Sequence, residues 1–197
     1  MTTVRLIVGL GNPGPEYQES RHNAGFWFVD RVAQAGSASF RYESRFHGEL
    51  ARVSLANEDL WLLKPRTYMN DSGRAVAASA HFYRVAPEQI LVVHDELDLL
   101  PGNIKLKKGG GAAGHNGLKD IVAALGSPDF WRLRVGIGHP GQRHEVVDYV
   151  LHRPSKVDQK AIDAALERAL EIVPLLLKGR PELALTHLHT SPKPGTL

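Results

Sequence analysis

Apolar residues along the chain form short continuous runs, separated by turn-forming residues and by longer segments with helical periodicity. Three of the runs, IVGL, ILVVH and LRVGIG, are rich in β-branched residues, as is typical of strands that are covered on both faces. Two further runs are joined through Ala56-Asn57-Glu58-Asp59 and are predicted to form a hairpin. The predicted strands are Val4–Leu10, Gly48–Leu55, Leu60–Lys64, Ile90–His94, Ile104–Lys107 and Arg132–Gly138.

The periodicity of the remaining segments predicts four helices, of which the last is the longest. Its apolar residues form a single stripe at helical spacing, Ser155 with Asp158 resembles a capping box, and Gly179 favours a stop. Strands that alternate with helices predict an α/β domain with a mixed, mostly parallel twisted sheet wrapped by helices. The predicted helices are Ala24–Ala35, Ser72–Tyr83, Leu118–Leu125 and the long C-terminal helix Ser155–Leu177.

The 197-residue chain shows no internal repeat or linker, which predicts one domain over residues 1–190. The final residues, 191–197, are rich in proline and polar residues and are predicted to form a disordered tail. No apolar run reaches the length of a membrane span, and the short run near the N-terminus is not typical of a signal peptide. The protein is therefore predicted to be cytoplasmic.

The segment Gly9–Gly14 matches the pattern G-x-G-x-x-G, which follows the first strand of many dinucleotide-binding folds. That fingerprint requires a helix that opens inside the motif, but here Pro13 and Pro15 intervene. The acidic residue expected about 20 positions further on would be Asp30, which lies inside a predicted helix. The pattern favours a tight turn from which Asn12 projects at the edge of the sheet, where sites on open α/β sheets form.

Two motifs place titratable side chains next to predicted elements. His22 precedes the helix Ala24–Ala35 and, taken alone, is best explained as a surface histidine beside an asparagine cap. The run His94–Asp98 ends a buried strand with an acidic cluster. Its carboxylates can form turns, or they can orient a histidine that takes a proton from water. Neither motif alone decides between a structural and a catalytic role.

The segment Lys107–Gly117, KKGGGAAGHNG, lacks the Gly-Lys-Ser/Thr ending of a P-loop. Its small residues allow a bulky ligand to approach the backbone, and Asn116 is predicted to cap the helix Leu118–Leu125. Residues 105–134 carry six basic and two acidic side chains, a local charge of +4 in a chain whose net charge is +3. This basic segment is predicted to be either a solvated face or, more specifically, a patch that binds phosphate.

No sequence pattern indicates a metal site or a cofactor. The absence of cysteine excludes disulfides, thiolate nucleophiles and zinc sites built on cysteine. His187 and His189 have no obvious third ligand, so both are predicted to be surface residues.

Six motifs occur in order between about Val4 and about His189: GLGNPG, RHNAG, YMNDSG, HDELDL, GGGxxGHNGLKD and RLRVGIGHPG. Together they resemble bacterial-type peptidyl-tRNA hydrolase, although each motif alone is weak. The resemblance implies a monomeric, metal-independent α/β enzyme that hydrolyses the ester between a peptide and the ribose of tRNA and so recycles tRNA. The chain departs from the family pattern at Ala113, where glycine is common, and at Tyr68, where phenylalanine is common. These departures bear on loop flexibility and cleft polarity.

The resemblance also implies roles for individual residues. His22 corresponds to the catalytic histidine of the family, and Asp95 to the carboxylate that orients it. The residues implied to bind the substrate are Asn12, Tyr17, Tyr68, Asn70 and Asn116, and those implied to contact tRNA or line the cleft are Lys107, Arg134, His115 and Met69.

The residue types agree with that reaction. An ester with a ribose leaving group is easier to hydrolyse than an amide, so a water activated by an imidazole needs neither a covalent nucleophile nor a metal. Asparagine side chains can donate to the oxyanion of the tetrahedral intermediate, at ~2.7–4 kcal/mol of transition-state stabilisation per good donor. Uncharged amides can also bind a peptide backbone as donor and as acceptor.

Two functions from other classes remain open alternatives. A non-catalytic RNA-binding module would use the basic segment and would bind without turnover. A nucleotide-dependent oxidoreductase would bind NAD at the turn Gly9–Gly14, although the misplaced acidic residue argues against it.

Overall fold

The computed structural model describes residues 2–190, so the predicted tail 191–197 lies outside the described residues. The described part contains a seven-stranded sheet with the order β2-β3-β4-β1-β5-β7-β6. Its strands are β1 (Leu6–Gly9), β2 (Arg41–Glu43), β3 (Gly48–Leu55), β4 (Glu58–Pro65), β5 (Ile90–Glu96), β6 (Ile104–Lys108) and β7 (Trp131–Gly136). The four neighbouring strands β4, β1, β5 and β7 are mutually parallel, and β3 and β6 run antiparallel to them. The predicted mixed sheet is confirmed.

Helices cover both faces of the sheet, which buries the central strands completely. They are α1 (Ala24–Ala35), α2 (Ser72–Phe82), α3 (Asn116–Leu125), α4 (Val146–Val150), α5 (Lys156–Leu170), α6 (Val173–Leu177) and α7 (Pro181–Thr190). One apolar core forms under α1, α5, α6 and α7, and the other under α2 and α3. The central strand β5 is buried along its whole length because it contacts both cores. The predicted α/β architecture is confirmed.

The predicted helix Ser155–Leu177 is interrupted, which corrects its length. Helix α5 ends at Leu170, and the amide groups of Glu171 and Ile172 bond three residues back instead of four. Pro174 lies in the first turn of α6 and has no N–H to continue the ladder. The predicted cap at the start is confirmed, since the hydroxyl of Ser155 accepts a hydrogen bond from the Asp158 amide at 3.1 Å.

The predicted hairpin forms, but its turn is shorter than predicted. Glu58 and Asp59 already pair with β3, which leaves Ala56 and Asn57 as the turn. Both have positive φ values, 51° and 63°, as a two-residue type I′ turn requires.

The sequence patterns missed β2, α4 and α7. Helix α7 lies along β6 at one edge of the sheet, where the Leu106 amide donates to His189 Nε2 at 3.2 Å. His187 on α7 pairs with Glu171, the residue that follows α5. No helix within residues 2–190 is long and apolar enough to cross a membrane.

Candidate active site

The carboxyl ends of β4, β1 and β5 meet at one edge of the sheet, because β1 lies between the other two and runs parallel to both. Open α/β sheets bind ligands at this edge. Asn12 follows β1, Asp95 is the next-to-last residue of β5, and Asn70 lies in the short turn that follows β4. The fold thus collects polar groups from distant parts of the chain.

His22 reaches this edge because α1 packs very close to the sheet. It lies in the short 3₁₀ turn Arg21–Asn23 that leads into α1. A Cβ atom added to Gly25 would lie 2.3 Å from the carbonyl oxygen of Val93, so the approach of the helix requires glycine here. The result is a distance of 2.9 Å between His22 Nδ1 and Asp95 Oδ2.

Arg21, which the sequence did not single out, fixes the turn from the other side. Its guanidinium group is buried and donates to the carbonyl oxygens of Tyr149 at 2.9 Å and of His152 at 3.2 Å. It also stacks on the Tyr149 ring. The backbone that carries His22 is therefore held by α1 and by α4.

His115 binds the second oxygen of the same carboxylate, with His115 Nε2 2.9 Å from Asp95 Oδ1. Its other ring nitrogen, Nδ1, accepts a hydrogen bond from the Leu118 amide at 3.3 Å. His115 is therefore the N-cap of α3, which corrects the prediction that Asn116 caps this helix. Asn116 is instead the first helical residue, and its side chain is exposed.

The hydrogen-bond partners assign different tautomers to the two histidines. His22 donates to Asp95 from Nδ1, and no described residue forms a hydrogen bond with its Nε2. His115 donates from Nε2 and uses Nδ1 for the cap, so both of its ring nitrogens are occupied. His22 alone of this pair keeps a lone pair for a proton from outside.

Asp95 and His22 each shift the pKa of the other. Burial by itself raises the pKa of Asp95, but the two histidines outweigh burial and hold that pKa well below its ordinary range. Burial likewise lowers the pKa of His22, but the charge and hydrogen bond of Asp95 outweigh burial, and the net shift is upward. Asp95 is therefore ionised, and it makes His22 a stronger base.

His94, inside β5, belongs to the framework of the site. Its Nδ1 donates to the carbonyl oxygen of Asp95 at 2.7 Å, and its ring contacts the His115 ring edge-on. Burial, together with the neighbouring His115, lowers the pKa of His94 to about 3, so its ring stays neutral.

Asn12 is fixed by a second asparagine that the sequence analysis did not single out. The Asn12 amide N–H donates to Asn23 Oδ1 at 2.8 Å, and Asn23 Nδ2 donates to the Asn12 carbonyl at 3.0 Å. The side-chain Oδ1 of Asn12 accepts from the Met69 amide at 2.7 Å. The Nδ2 group of Asn12 is consequently the end of the amide that remains for a ligand. The RHNAG motif thus contributes His22 and, next to it, a support for Asn12.

The other residues that the resemblance implied for substrate binding have more exposed side chains than Asn12. Tyr68 is 66% exposed, Asn70 and Asn116 are exposed, and Tyr17 is half-buried. Asn70 and Tyr68 flank Met69 in sequence, which brings them next to Asn12.

The two predicted tRNA-binding residues lie on the same face of the sheet. Lys107 on β6 is opposite Arg132 on β7, and Arg134 is two residues further along β7, so the three side chains point to one side. Lys107 is exposed, whereas Arg134 is half-buried with its Nε 2.8 Å from Glu96 Oε1. The two carboxylates at the end of β5 therefore have different partners, since Asp95 binds the two histidines and Glu96 binds Arg134.

Arg132 is not part of the exposed basic surface that the sequence predicts for residues 105–134. Its side chain is only 2% exposed and donates to the carbonyl oxygens of Gly111 at 2.6 Å, Gly110 at 2.8 Å and Pro128 at 3.3 Å. It holds the glycine-rich loop from below and is not available to a phosphate group.

Within residues 2–190, one set of side chains has the geometry of a metal site. The ligand atoms of His22, Asp95 and His115 lie within 4.8 Å of one another, and two imidazoles with a carboxylate are a set that transition metals bind. The nitrogens that face the carboxylate are hydrogen-bonded to it in this structure.

Comparison with known proteins identifies the family. The family model for peptidyl-tRNA hydrolase matches residues 6–195. Peptidyl-tRNA hydrolase from Neisseria meningitidis serogroup A is 56% identical over 188 residues, which is 95% of this chain and 98% of that protein. The enzyme of the same name from Thiobacillus denitrificans is 58% identical over 188 residues, which is 95% of this chain and 91% of that protein.

The fold agrees with solved structures of the same name. A crystal structure of peptidyl-tRNA hydrolase from Acinetobacter baumannii is 47% identical, has a TM-score of 0.96, and is matched over 99% of this chain and 98% of that chain. A complex of peptidyl-tRNA hydrolase with N-propanol has a TM-score of 0.94 at 47% identity, over 98% and 97% of the two chains. This chain therefore belongs to the peptidyl-tRNA hydrolase family, and it is a hydrolase of peptidyl-tRNA.

Proposed function

We propose that His22, oriented by Asp95, activates the water that hydrolyses the ester of peptidyl-tRNA in this protein. The observation that carries the proposal is that Asp95 holds Nδ1 of His22 at 2.9 Å, while no residue among 2–190 forms a hydrogen bond with Nε2. A general base must have a free lone pair and a fixed tautomer, and His22 has both. The raised pKa of His22 adds to its proton affinity.

The proposed reaction balances without a cofactor. Nε2 of His22 takes a proton from water as the water oxygen attacks the ester carbonyl carbon. The tetrahedral intermediate then collapses, the bond from carbon to the ribose oxygen breaks, and the imidazolium returns its proton to that oxygen. The ionised Asp95 stabilises the imidazolium between the two steps.

Asn12 is the proposed donor to the oxyanion. Its Oδ1 is held by the Met69 amide and its backbone by Asn23, so the direction of its Nδ2 is fixed before substrate arrives. Preorganised donors of this kind stabilise developing negative charge most effectively. The exposed side chains of Asn70 and Asn116 are assigned to the peptide backbone, which needs donors and acceptors.

Lys107 and Arg134 are the proposed contacts to tRNA phosphate. They lie on one face of the β6–β7 pair, and β7 neighbours β5, which carries Asp95. A phosphate bound there would leave the 3′ end of tRNA directed at the His22–Asp95 pair.

The alternatives fit the site less well. A purely RNA-binding module would leave the two histidines, Asp95 and the fixed Asn12 without a role. The turn Gly9–Gly14 is followed by two 3₁₀ turns, Pro15–Tyr17 and Arg21–Asn23, and α1 begins only at Ala24, so α1 does not open inside the motif as a pyrophosphate site requires. Asp30 pairs with Lys64 on the surface of α1.

The experiment that tests the function is incubation of the purified protein with an N-blocked aminoacyl-tRNA. Free tRNA and the blocked amino acid are expected as products. Binding of the tRNA without release would instead support the RNA-binding module. A rise in melting temperature with NAD would support the oxidoreductase.

The tRNA contacts have their own test, based on salt. Lys107→Ala and Arg134→Ala are each expected to raise KM for peptidyl-tRNA and to reduce the log–log salt dependence of binding by about 0.7–0.9. Lys160→Ala removes the same charge from an exposed position on α5, across the sheet, and is the matched control. Equal slopes in all four proteins would show that tRNA is bound elsewhere.

A further inference from the structure

Glu96, the last residue of β5, carries a buried carboxylate that no step of the proposed reaction uses. The residue is only 8% exposed. Its Oε1 is 2.8 Å from Nε of Arg134, and its Oε2 accepts a hydrogen bond from the Asp98 amide at 3.4 Å. Buried ion pairs seldom stabilise a fold more than apolar side chains of the same size would, because both charges lose water. Stability alone therefore gives little reason for a carboxylate at this position.

The contact uses one part of the Arg134 guanidinium group and leaves the rest available. Glu96 accepts from Nε, the guanidinium nitrogen nearest to the backbone. Within residues 2–190, no acceptor bonds to the two terminal nitrogens, and the Arg134 side chain is 24% exposed. The terminal nitrogens form a planar fork that can bind a phosphate group through two parallel hydrogen bonds. A guanidinium group held at Nε can therefore present this fork to a ligand while it stays paired with Glu96.

Arg134 has positively charged neighbours that oppose this arrangement. Lys105 on β6 lies directly opposite Arg134 in the β6–β7 pair. Arg132 is two residues away on the same face of β7, and burial, together with the charge of Arg134, lowers the pKa of the Arg132 guanidinium. Like charges on neighbouring side chains repel, so without a carboxylate the long side chain of Arg134 would turn away from this face. Glu96 supplies that carboxylate.

Lys107, the other proposed contact to tRNA phosphate, is not held in this way. Its side chain is exposed and forms no ion pair with a carboxylate in the described part of the chain. Its Nζ lies above the glycine-rich loop, since a Cβ atom added to Gly110 would be 2.7 Å from it. A long side chain without a partner loses rotational freedom when it binds a phosphate group, whereas one that is already fixed loses less. Of the two cations, Arg134 is therefore the one whose direction is set before tRNA arrives.

We infer that Glu96 is a positioning residue for tRNA binding, which holds Arg134 at Nε so that the terminal nitrogens face the incoming phosphate group. The inference rests on the proposed function for the role of Arg134. Glu96 itself does not touch the tRNA. Strand β5 then ends in two carboxylates with parallel tasks, since Asp95 orients the proposed base and Glu96 orients the proposed phosphate ligand.

A carboxylate beside a phosphate-binding arginine also has an opposite effect. Its negative charge repels the phosphate group and competes with it for the guanidinium group. If positioning dominates, loss of Glu96 weakens the binding of tRNA, and if competition dominates, the same change strengthens it. The direction of the change therefore decides between the two accounts.

Two variants of Glu96 separate its geometry from its charge. Glu96→Ala removes both, and it is expected to raise KM for an N-blocked aminoacyl-tRNA and Kd for uncharged tRNA by about two- to tenfold, the range for ordering one long side chain on binding. Glu96→Gln keeps an oxygen that can accept from Arg134 Nε, so both constants are expected to stay near those of the wild type. The value of kcat and the ascending limb of the pH profile are expected to be unchanged in both variants, because His22 and Asp95 stay in place.

A double-mutant cycle shows whether Glu96 acts through Arg134. In the Arg134→Ala background, Glu96→Ala is expected to raise KM and Kd no further. In the Lys107→Ala background, it is expected to raise them by the same factor as in the wild type. Asp98→Asn is the matched control for charge, because it removes one negative charge from an exposed residue two positions away and is expected to leave both constants unchanged.

The outcomes distinguish a failure of this inference from a failure of the proposed function. Lower KM and Kd in Glu96→Ala would overturn the inference, and so would unchanged values in a protein whose Arg134→Ala variant binds tRNA more weakly. The proposed contact of Arg134 with tRNA would stand in both cases. An equal rise with and without Arg134 would also overturn it, because the carboxylate would then only stabilise the end of β5. If Arg134→Ala changes neither constant, the proposed contact is wrong, and the inference is wrong with it.

Discussion

His22 and His115 bind the two oxygens of one carboxylate at the same distance, 2.9 Å, yet the segments that carry them give them different chemistry. His22 lies in a 3₁₀ turn before α1, and no side chain or backbone group in the described part of the chain bonds to its Nε2. His115 lies at the start of α3 and gives its second nitrogen to the Leu118 amide. The backbone around each ring, rather than its distance from Asp95, therefore decides which histidine can accept a proton from water.

The comparison predicts that loss of His22 has the largest effect on turnover. His22→Ala removes the proposed general base and is expected to reduce kcat by ~10²–10⁴-fold, while the fold and the affinity for tRNA are kept. Single-turnover release of tRNA measures the rate, and His81→Ala, an exposed histidine of α2, is the control. Near wild-type turnover in His22→Ala would assign the base to another group.

Asp95→Asn is expected to have the next largest effect and to change the pH profile as well. The rate rises with pH as His22 loses its proton, and Asp95 raises the pKa at which this occurs. Removal of the negative charge lowers that pKa, so the ascending limb of the profile moves to lower pH. Asp98→Asn changes an exposed residue of the same motif and is expected to leave the limb in place. If both profiles match that of the wild type, the role of Asp95 is structural only.

His115→Asn is expected to reduce the rate less than Asp95→Asn. It removes one hydrogen bond to the carboxylate, which corresponds to roughly a two- to tenfold effect. Asparagine keeps an acceptor for the helix cap, so the free energy of unfolding in urea should change little, whereas His115→Ala should lose ~0.5–2 kcal/mol. A loss of turnover in His115→Asn as large as that in His22→Ala would contradict the view that only His22 has a ring nitrogen able to take a proton from water.

Removal of metal ions is expected to have no effect. Exhaustive dialysis against a chelator should leave kcat/KM unchanged, because the proposed base acts on water directly. His22, Asp95 and His115 are close enough to hold an ion, so the measurement is a direct test. If activity is lost on dialysis and a divalent ion restores it, His22 and His115 would both be metal ligands, and the assignment of His22 alone as the base would be wrong.

Much of the fold follows from the sequence because long periodic segments have one stable arrangement. Helix α1 has the predicted bounds, and β3 and β6 differ from prediction by no more than one residue. The helix breaks before Pro174, although the apolar stripe continues, because proline has no backbone N–H for the helical hydrogen-bond ladder. The three-residue strand β2 is too short to show a period.

Less of the site could be predicted from the sequence, because a local pattern does not show how deeply a side chain is buried or which distant residue it contacts. Arg132 and Arg134 alternate identically along β7, but one lies beneath the glycine-rich loop and the other beside Glu96. Asn116 is the more common capping residue, yet the ring of His115 reaches the Leu118 amide first. Asn23 supports Asn12 from 11 residues away, a contact that only the packing of α1 against β1 creates.

The insertion of β1 between β4 and β5 also determines when activity can arise during synthesis. Leu6 pairs with Trp61 on one side and with Ile90 on the other, so the first strand to leave the ribosome waits for its second partner until β5 has been made. Asp95 then meets His115 only after a further 20 residues. Contacts between residues so distant in sequence form slowly, so we expect this group to assemble late in folding. The group formed by His22, Asp95 and His115 therefore cannot be complete until at least 115 residues of the chain have been made.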